Sequence, residues 1–188
     1  MFKSQQFRRD AVKSLTPQTG VYILADLDDV PIYVGKSKDG IRSRVRRHLT
    51  SARSDIIANR QIDVWEIAFV WEYPINDLIQ MSEIEALLFH HYNGSSKLMN
   101  GSIPLLSNAT DIIPVPAKKV QVLSDEEIAD RQDVHQRLPR QADHYAQLVG
   151  HFLVVKNSDE IARAMTAHFE RLEKYHRLML GLATPEEG

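Results

Sequence analysis

Gly20-Val21-Tyr22-Ile23-Leu24-Ala25-Asp26-Leu27-Asp28-Asp29-Val30-Pro31-Ile32-Tyr33-Val34-Gly35-Lys36-Ser37 holds two short apolar runs on either side of an acidic tetrapeptide. Both runs are rich in β-branched and aromatic residues, which fit a pleated, half-buried surface. Asp26-Leu27-Asp28-Asp29 supplies the turn between them, because aspartate side chains hydrogen-bond their own backbone. The stretch therefore predicts a β-hairpin with Tyr22 on its first strand and Tyr33 on its second. If the two rings point to one face, their hydroxyls reach a common neighbour.

Outward from the hairpin, Lys36 to Gly40 reads as a turn, and Ile41, Val45 and Leu49 repeat at i, i+4, i+8, predicting a helix from Ile41 to about Ser51. Its other face carries Arg42, Arg44, Arg46, Arg47 and His48. A short turn or helix follows over Ser54 to Asn59. Ile62 to Tyr73 alternates well enough for a third strand, ended by Pro74. On that strand Trp65 and Trp71 would share one face, with core packing favoured over base stacking. Asn76 to Tyr92 predicts a helix with Leu78, Ile79, Met81, Ile84, Leu87, Leu88 and Tyr92 placed for burial, stopped at Asn93-Gly94, and Asn93 to Ala117 is loop-like.

Upstream, residues 1 to 18 form a polar helix or lead-in. The last third is acidic and helical. Ser124-Asp125-Glu126-Glu127 is a capping-box pattern. Leu138-Pro139 is expected to break that helix, and Tyr145 to Val155 suits a buried helix or strand. A final helix begins after Asn157-Ser158 and runs to Gly181. Its Ile161, Met165, His168, Leu172, Tyr175, Met179 and Leu182 form a heptad-like seam, which serves either an intramolecular core or a homodimer through residues 158–182. The expected fold class is α/β (α+β): a small three-stranded antiparallel sheet flanked by helices over 1–117, then a helical C-terminal region over 118–188 for recognition, packing or dimerisation.

Composition narrows the chemistry. The 188 residues are 43% hydrophobic and 26% charged, enough apolar surface for a packed core. There is no cysteine, which excludes disulfides, thiolate metal sites and a cysteine nucleophile. Adjacent His90 and His91 point about 100° apart on a helix, so a zinc reading is rejected. No apolar run reaches membrane-spanning length, and the opening residues lack a signal-like apolar region, giving the expectation of a cytoplasmic protein. The net charge of −2 conceals an asymmetry: residues 1–60 carry 12 Lys/Arg against 6 Asp/Glu, and residues 61–188 carry 11 against 19. The basic density around Arg42 to His48, with Arg53, suits a phosphate backbone, although for an isolated basic run a solvated helix face is the favoured reading.

Taken in order, Gly20-Val21-Tyr22, Tyr33-Val34-Gly35, Lys36-Ser37, Arg44 with His48, Glu85 within Glu83-Ile84-Glu85-Ala86-Leu87-Leu88, and an asparagine beyond a proline resemble the GIY-YIG nuclease family over about residues 18 to 110. The resemblance implies a metal-dependent endonuclease that hydrolyses DNA with Mg²⁺ (or Mn²⁺). It implies Tyr22 as general base, Tyr33 orienting water or phosphate, and Glu85 as metal ligand in preference to Glu83. It favours Arg44 over Arg42 as the transition-state arginine, although the spacing from Tyr33 is one residue longer than usual, through Gly40. Asn108 matches the family's asparagine, with Asn100 the alternative. Gly35, Lys36, Ser37, Arg42, Arg46, Arg47 and Asn108 are the expected phosphate-binding set.

Phosphodiester hydrolysis needs these residue types in any case. A base must activate water, cations must offset charge on phosphorus, and a metal commonly aids the leaving oxygen. Arg44 and His48, four apart, project from one helix face, and a guanidinium forks onto two phosphate oxygens. His48 is placed to protonate the leaving oxygen, relay a proton or bind phosphate. Tyrosine ionises near pH 10, so a base role for Tyr22 calls for a depressed pKa, with Lys36 and Arg44 as available perturbers. The competing reading is a catalytically silent nucleic-acid-binding module that keeps only the basic face.

Overall fold

A computed structural model describes residues 3–51, 54–106 and 112–182. The hairpin forms as expected, with β1 at Gly20–Ala25 and β2 at Pro31–Ser37 in antiparallel register, Tyr22 opposite Gly35 and Leu24 opposite Tyr33. Asp26 closes the turn by accepting the amides of Asp28 and Val30 at 2.9 Å each. On the far side of β1 lies β3 (Phe69–Pro74), and beyond it β4 (Lys118–Gln121), giving the order β2-β1-β3-β4. The sheet therefore has four strands, one more than the sequence suggested, and the fourth comes from the segment assigned to the C-terminal region.

Helices cover both faces. The polar lead-in is α1 (Lys3–Ser14), which packs with α2 (Ile41–Thr50) over Tyr22, Leu24 and Val70, while α4 (Leu78–Ser95) packs over Val21, Ile23, Val34 and Trp71. Strand β1 is buried at all six positions, which is why it reads as a continuous apolar run rather than an alternation. The short α3 (Asp55–Ala58) follows α2. The C-terminal third forms α5 (Asp125–Gln132), α6 (Val134–Val154) and α7 (Asp159–Met179), the last two packed against each other. The capping box at Ser124 and Glu127 is complete.

Several boundaries differ from the sequence reading. Only Phe69–Pro74 of the expected third strand is extended; Val64–Glu66 is a turn of 3₁₀ helix whose cap, Asp63, accepts the Trp65 amide. The tryptophans therefore do not share a strand face. Trp71 is buried, with its indole N–H donating to Asp29 at 2.6 Å and Lys119 3.5 Å from its ring centre, while Trp65 is half-buried beside Arg131. Leu78 and Ile79 are exposed rather than buried, because they occupy the first turn of α4 just after its cap, Asp77. Gly94 does not stop α4, and Pro139 lies inside α6, since a helix restarts at Asp133, whose side chain accepts the amide of His135.

The outer edge of β2 is closed by the loop after α4. Asn100 donates to the Val34 carbonyl at 2.7 Å and accepts the Val34 amide at 3.1 Å, imitating a neighbouring strand, and the Met99 amide donates to Ile32. Beyond Val34, Gly35 to Ser37 continue past this cover toward the candidate site.

Candidate active site

Register places Tyr22, Leu24, Tyr33 and Gly35 on one sheet face, and the two tyrosine rings lie 6.3 Å apart across the strands. A Cβ on Gly35 would fall 2.6 Å from the Tyr22 hydroxyl oxygen and 2.7 Å from Tyr33 Cε1, so only glycine leaves room for both rings. This is the role the structure gives Gly35.

Helix α2 rises against that face. Gly40 opens it with φ 94°, and the first amides of α2, Ile41 and Arg42, donate to the carbonyls of Gln18 and Thr16. The extra residue in the turn is therefore accommodated in a left-handed conformation that glycine adopts without strain. Ser37 donates its buried hydroxyl to the Gly40 carbonyl at 2.9 Å, and Arg42 donates Nε–H to the Leu15 carbonyl at 2.6 Å. Both thus tie the turn and the lead-in helix together. Arg46 and Arg47 are exposed on α2.

His48 is fully buried beneath this face. Its Nε2 lies 2.7 Å from the Tyr22 hydroxyl and its Nδ1 lies 2.6 Å from Ser54 Oγ. Burial, with Arg44 and Arg47 nearby, pushes its pKa down to about 4, so the ring is neutral at physiological pH. Burial raises the Tyr22 pKa well above the ordinary tyrosine value, Tyr33 adds to the rise, and Arg44 opposes it. This reverses the expectation of a depressed Tyr22 pKa. Tyr33 is pushed up to about 12, again chiefly by burial, with Asp55 and Glu85 raising it and Arg44 opposing.

Arg44 lies beside both tyrosines. Its Nη2 is 3.4 Å from each Asp55 carboxylate oxygen, and its Nε is buried without a hydrogen-bond partner among the described residues. An unpartnered buried guanidinium N–H is a donor awaiting an acceptor.

On the opposite face, Lys36 Nζ sits 2.8 Å from Glu85 Oε2 and 3.2 Å from Ser82 Oγ. The Glu85 charge acts on Tyr33, so the two halves meet around the edge strand β2. Glu85 is a hard oxygen donor already facing a cation, the Lys36 ammonium, and one such carboxylate with water in the remaining positions fits Mg²⁺. No group of three or more His, Cys, Asp or Glu side chains suited to a metal occurs among the described residues. Glu83 is exposed, and His90 is spent on the Pro104 carbonyl. Asn108 lies outside the described residues.

Sequence reasoning missed Ser54 and Asp55. Ser54-Asp55 reads locally as the start of a helix, and nothing in that pattern signals that both side chains fold back onto α2.

Comparison with curated proteins and with solved structures gave no match. No helix among the described residues is long and apolar enough to cross a membrane. Comparison with protein families matches residues 18–99 to the GIY-YIG catalytic domain, the stretch that contains the hairpin, α2, the Lys36–Glu85 pair and all of α4. Residues 18–99 are thus similar to the GIY-YIG catalytic domain.

Proposed function

We propose that this protein is a metal-dependent endonuclease that hydrolyses DNA phosphodiester bonds. The observation that carries the reading is the buried Tyr22–His48 hydrogen bond beside the unpartnered Nε–H of Arg44.

The high Tyr22 pKa argues against a standing tyrosinate as base. A relay avoids one. Attacking water passes its proton to the Tyr22 oxygen while Tyr22 passes its own to His48 Nε2, and the new oxygen–phosphorus bond forms as the leaving oxygen departs. His48 is a weak base in the free protein, but negative charge building on phosphorus raises its basicity as the proton arrives. Arg44, permanently charged, turns its free donor onto a non-bridging oxygen. Tyr33 orients the phosphate beside it. Lys36 and Glu85 hold the edge of the site, and Mg²⁺ or Mn²⁺ bound at Glu85 would supply Lewis-acid charge for the leaving oxygen. Arg46 and Arg47, exposed on α2, provide backbone-tracking charge.

Cleavage of supercoiled plasmid in Mg²⁺, Mn²⁺ or EDTA, with Glu85→Gln alongside, tests this. Cutting that requires metal and vanishes in the variant is expected, with DNA affinity equal or higher because a negative charge near phosphate has been removed. Loss of binding together with cutting would make Glu85 structural, and binding without cutting in any metal would favour the silent module.

A further inference from the structure

We propose that Ser54 is a positioning residue for this chemistry: its hydroxyl accepts the Nδ1–H of His48 and so leaves Nε2 bare to receive the Tyr22 proton. The assignment rests on the nuclease reading above and deepens it.

A neutral imidazole has one N–H donor and one acceptor nitrogen, and the partner on one side decides which is which. His48 has two partners, Tyr22 at 2.7 Å from Nε2 and Ser54 at 2.6 Å from Nδ1. All three residues are fully buried, so no bulk water competes for either nitrogen. The Arg44 guanidinium, which can only donate, hydrogen-bonds the Tyr22 oxygen and leaves the hydroxyl's own proton for Nε2, so that Nδ1 is the donor and Ser54 Oγ the oxygen that receives it.

The Ser54 side chain does not cap the helix that it opens. It stands at the N-cap of α3 with extended backbone (φ −63°, ψ 127°), where a serine hydroxyl ordinarily takes an amide of the first turn. Its main chain does cap, since its carbonyl accepts the amides of Ile57 and Ala58, yet its side chain makes no cap bond. The hydroxyl is diverted six residues back to His48. Ser51 begins the fold-back, its carbonyl accepting the Ser54 amide at 3.1 Å. The same turn lays Asp55 against Arg44. Consecutive residues at the start of α3 thus hold the histidine and the arginine of α2.

Nitrogen-15 NMR of the full-length protein labelled at histidine reads the tautomer directly, since protonated and bare ring nitrogens resonate far apart. The expected wild-type signal has His48 Nδ1 protonated and Nε2 bare. Ser54→Ala should move the ring toward the Nε2–H form that free imidazole prefers, lower kcat by about 10- to 100-fold and leave KM within about twofold. Because no side-chain cap is lost, the melting temperature should stay within a few degrees, which separates positioning from misfolding. The wild-type spectrum needs no variant, and a wild-type Nε2–H tautomer overturns the assignment. So does an active wild type whose Ser54→Ala variant keeps both its tautomer and its kcat. A wild-type protein that cuts no DNA in any metal instead sinks the nuclease reading, and the catalytic role of Ser54 with it, even where the expected tautomer is seen.

Discussion

Tyr22, Tyr33, Arg44 and His48 were legible in the sequence because each lies in a short local pattern, two strand tripeptides and an i, i+4 pair. Their surroundings were not, and the surroundings set the chemistry. Gly35 reads as part of a motif, but its physical reason is the 2.6 Å that a Cβ would leave to the Tyr22 oxygen. Gly35→Ala should therefore displace the Tyr22 ring and cut kcat at least as severely as Tyr22→Phe, and an alanine variant of wild-type rate would remove that reason. On the proposed function, Arg44→Ala should lower kcat by about 10²- to 10³-fold with a small change in KM, because its Nε–H, without a partner among the described residues, would be used only as charge develops. Equal losses in kcat and affinity would mean that Arg44 binds ground state and transition state alike. Burial also makes the histidines reporters of stability. His48 and His168 are held near 4 against an ordinary 6.5, and His144, whose ring centre is 4.7 Å from that of His168, is lowered too. Between those pH values the unfolded chain binds protons that the folded chain refuses, so stability is full above about pH 6.5 and falls as pH drops toward 4. Each fully shifted ring contributes roughly 3 kcal/mol to that loss. Thermal melts at pH 7 and pH 5 should differ sharply, and His168→Gln, which keeps a donor for the Gln61 carbonyl, should shrink the difference. A melting temperature flat across this range would show the rings are not held neutral.

Elements with their own local signals are legible in the sequence: the hairpin, α2, the capped α5 and α7. Elsewhere tertiary contacts override the local pattern. Ile62 to Ala68 alternates like a strand, yet it turns at Asp63, whose carboxylate pairs with Arg140 of α6 at 2.6 and 2.8 Å, a partner 77 residues away. Lys118–Gln121 is too short and polar to announce itself, and it becomes β4 only because β3 offers an open edge. Pro139 reads as a breaker because it lacks an amide and crowds the preceding turn. The structure carries it at the sixth position of α6, where the neighbouring Arg137 is anchored to Glu66 and Asp28 and Arg140 to Asp63. These tertiary bonds offset the hydrogen bond that Pro139 cannot make to the His135 carbonyl. Pro139→Ala restores that bond and should raise the melting temperature, by up to about 3 kcal/mol in stability. A drop would mean that the proline bends α6 into its ion pairs and contributes more than the missing bond.

The molecule is joined across its two regions by buried charge. Arg137 is 2% exposed and reaches Glu66 at 2.8 Å, Asp28 at 2.7 Å and Asp26 at 3.2 Å, while Arg171 of α7 also binds Asp26. Asp26 and Asp28 belong to the hairpin turn, so the C-terminal helices grip the β1–β2 connection at the end of the strands away from Gly35. Removing one partner of such a network strands an uncompensated buried charge, and Arg137→Ala should cost about 3–5 kcal/mol. A chain ending at residue 117 loses β4 and leaves Asp26 and Glu66 without their arginines, so it should not fold cooperatively. The same packing bears on subunit number. Ile161, His168 and Tyr175 of the heptad-like seam are buried within one chain, Ile161 packing with Leu148 of α6 and Tyr175 under Arg137 at 4.1 Å. A homodimer through residues 158–182 would have to unpack that core or rely on the exposed end of the seam, Met179 and Leu182. On the proposed nuclease function, a single chain carries one site and would cut one strand. The expected result is a light-scattering mass near 21.5 kDa at all concentrations and nicked plasmid accumulating before linear. A mass twice that, with linear product formed in one encounter, would place the dimer on the exposed seam end, and Leu182→Asp should then return both the mass and the nicking pattern to those of one chain.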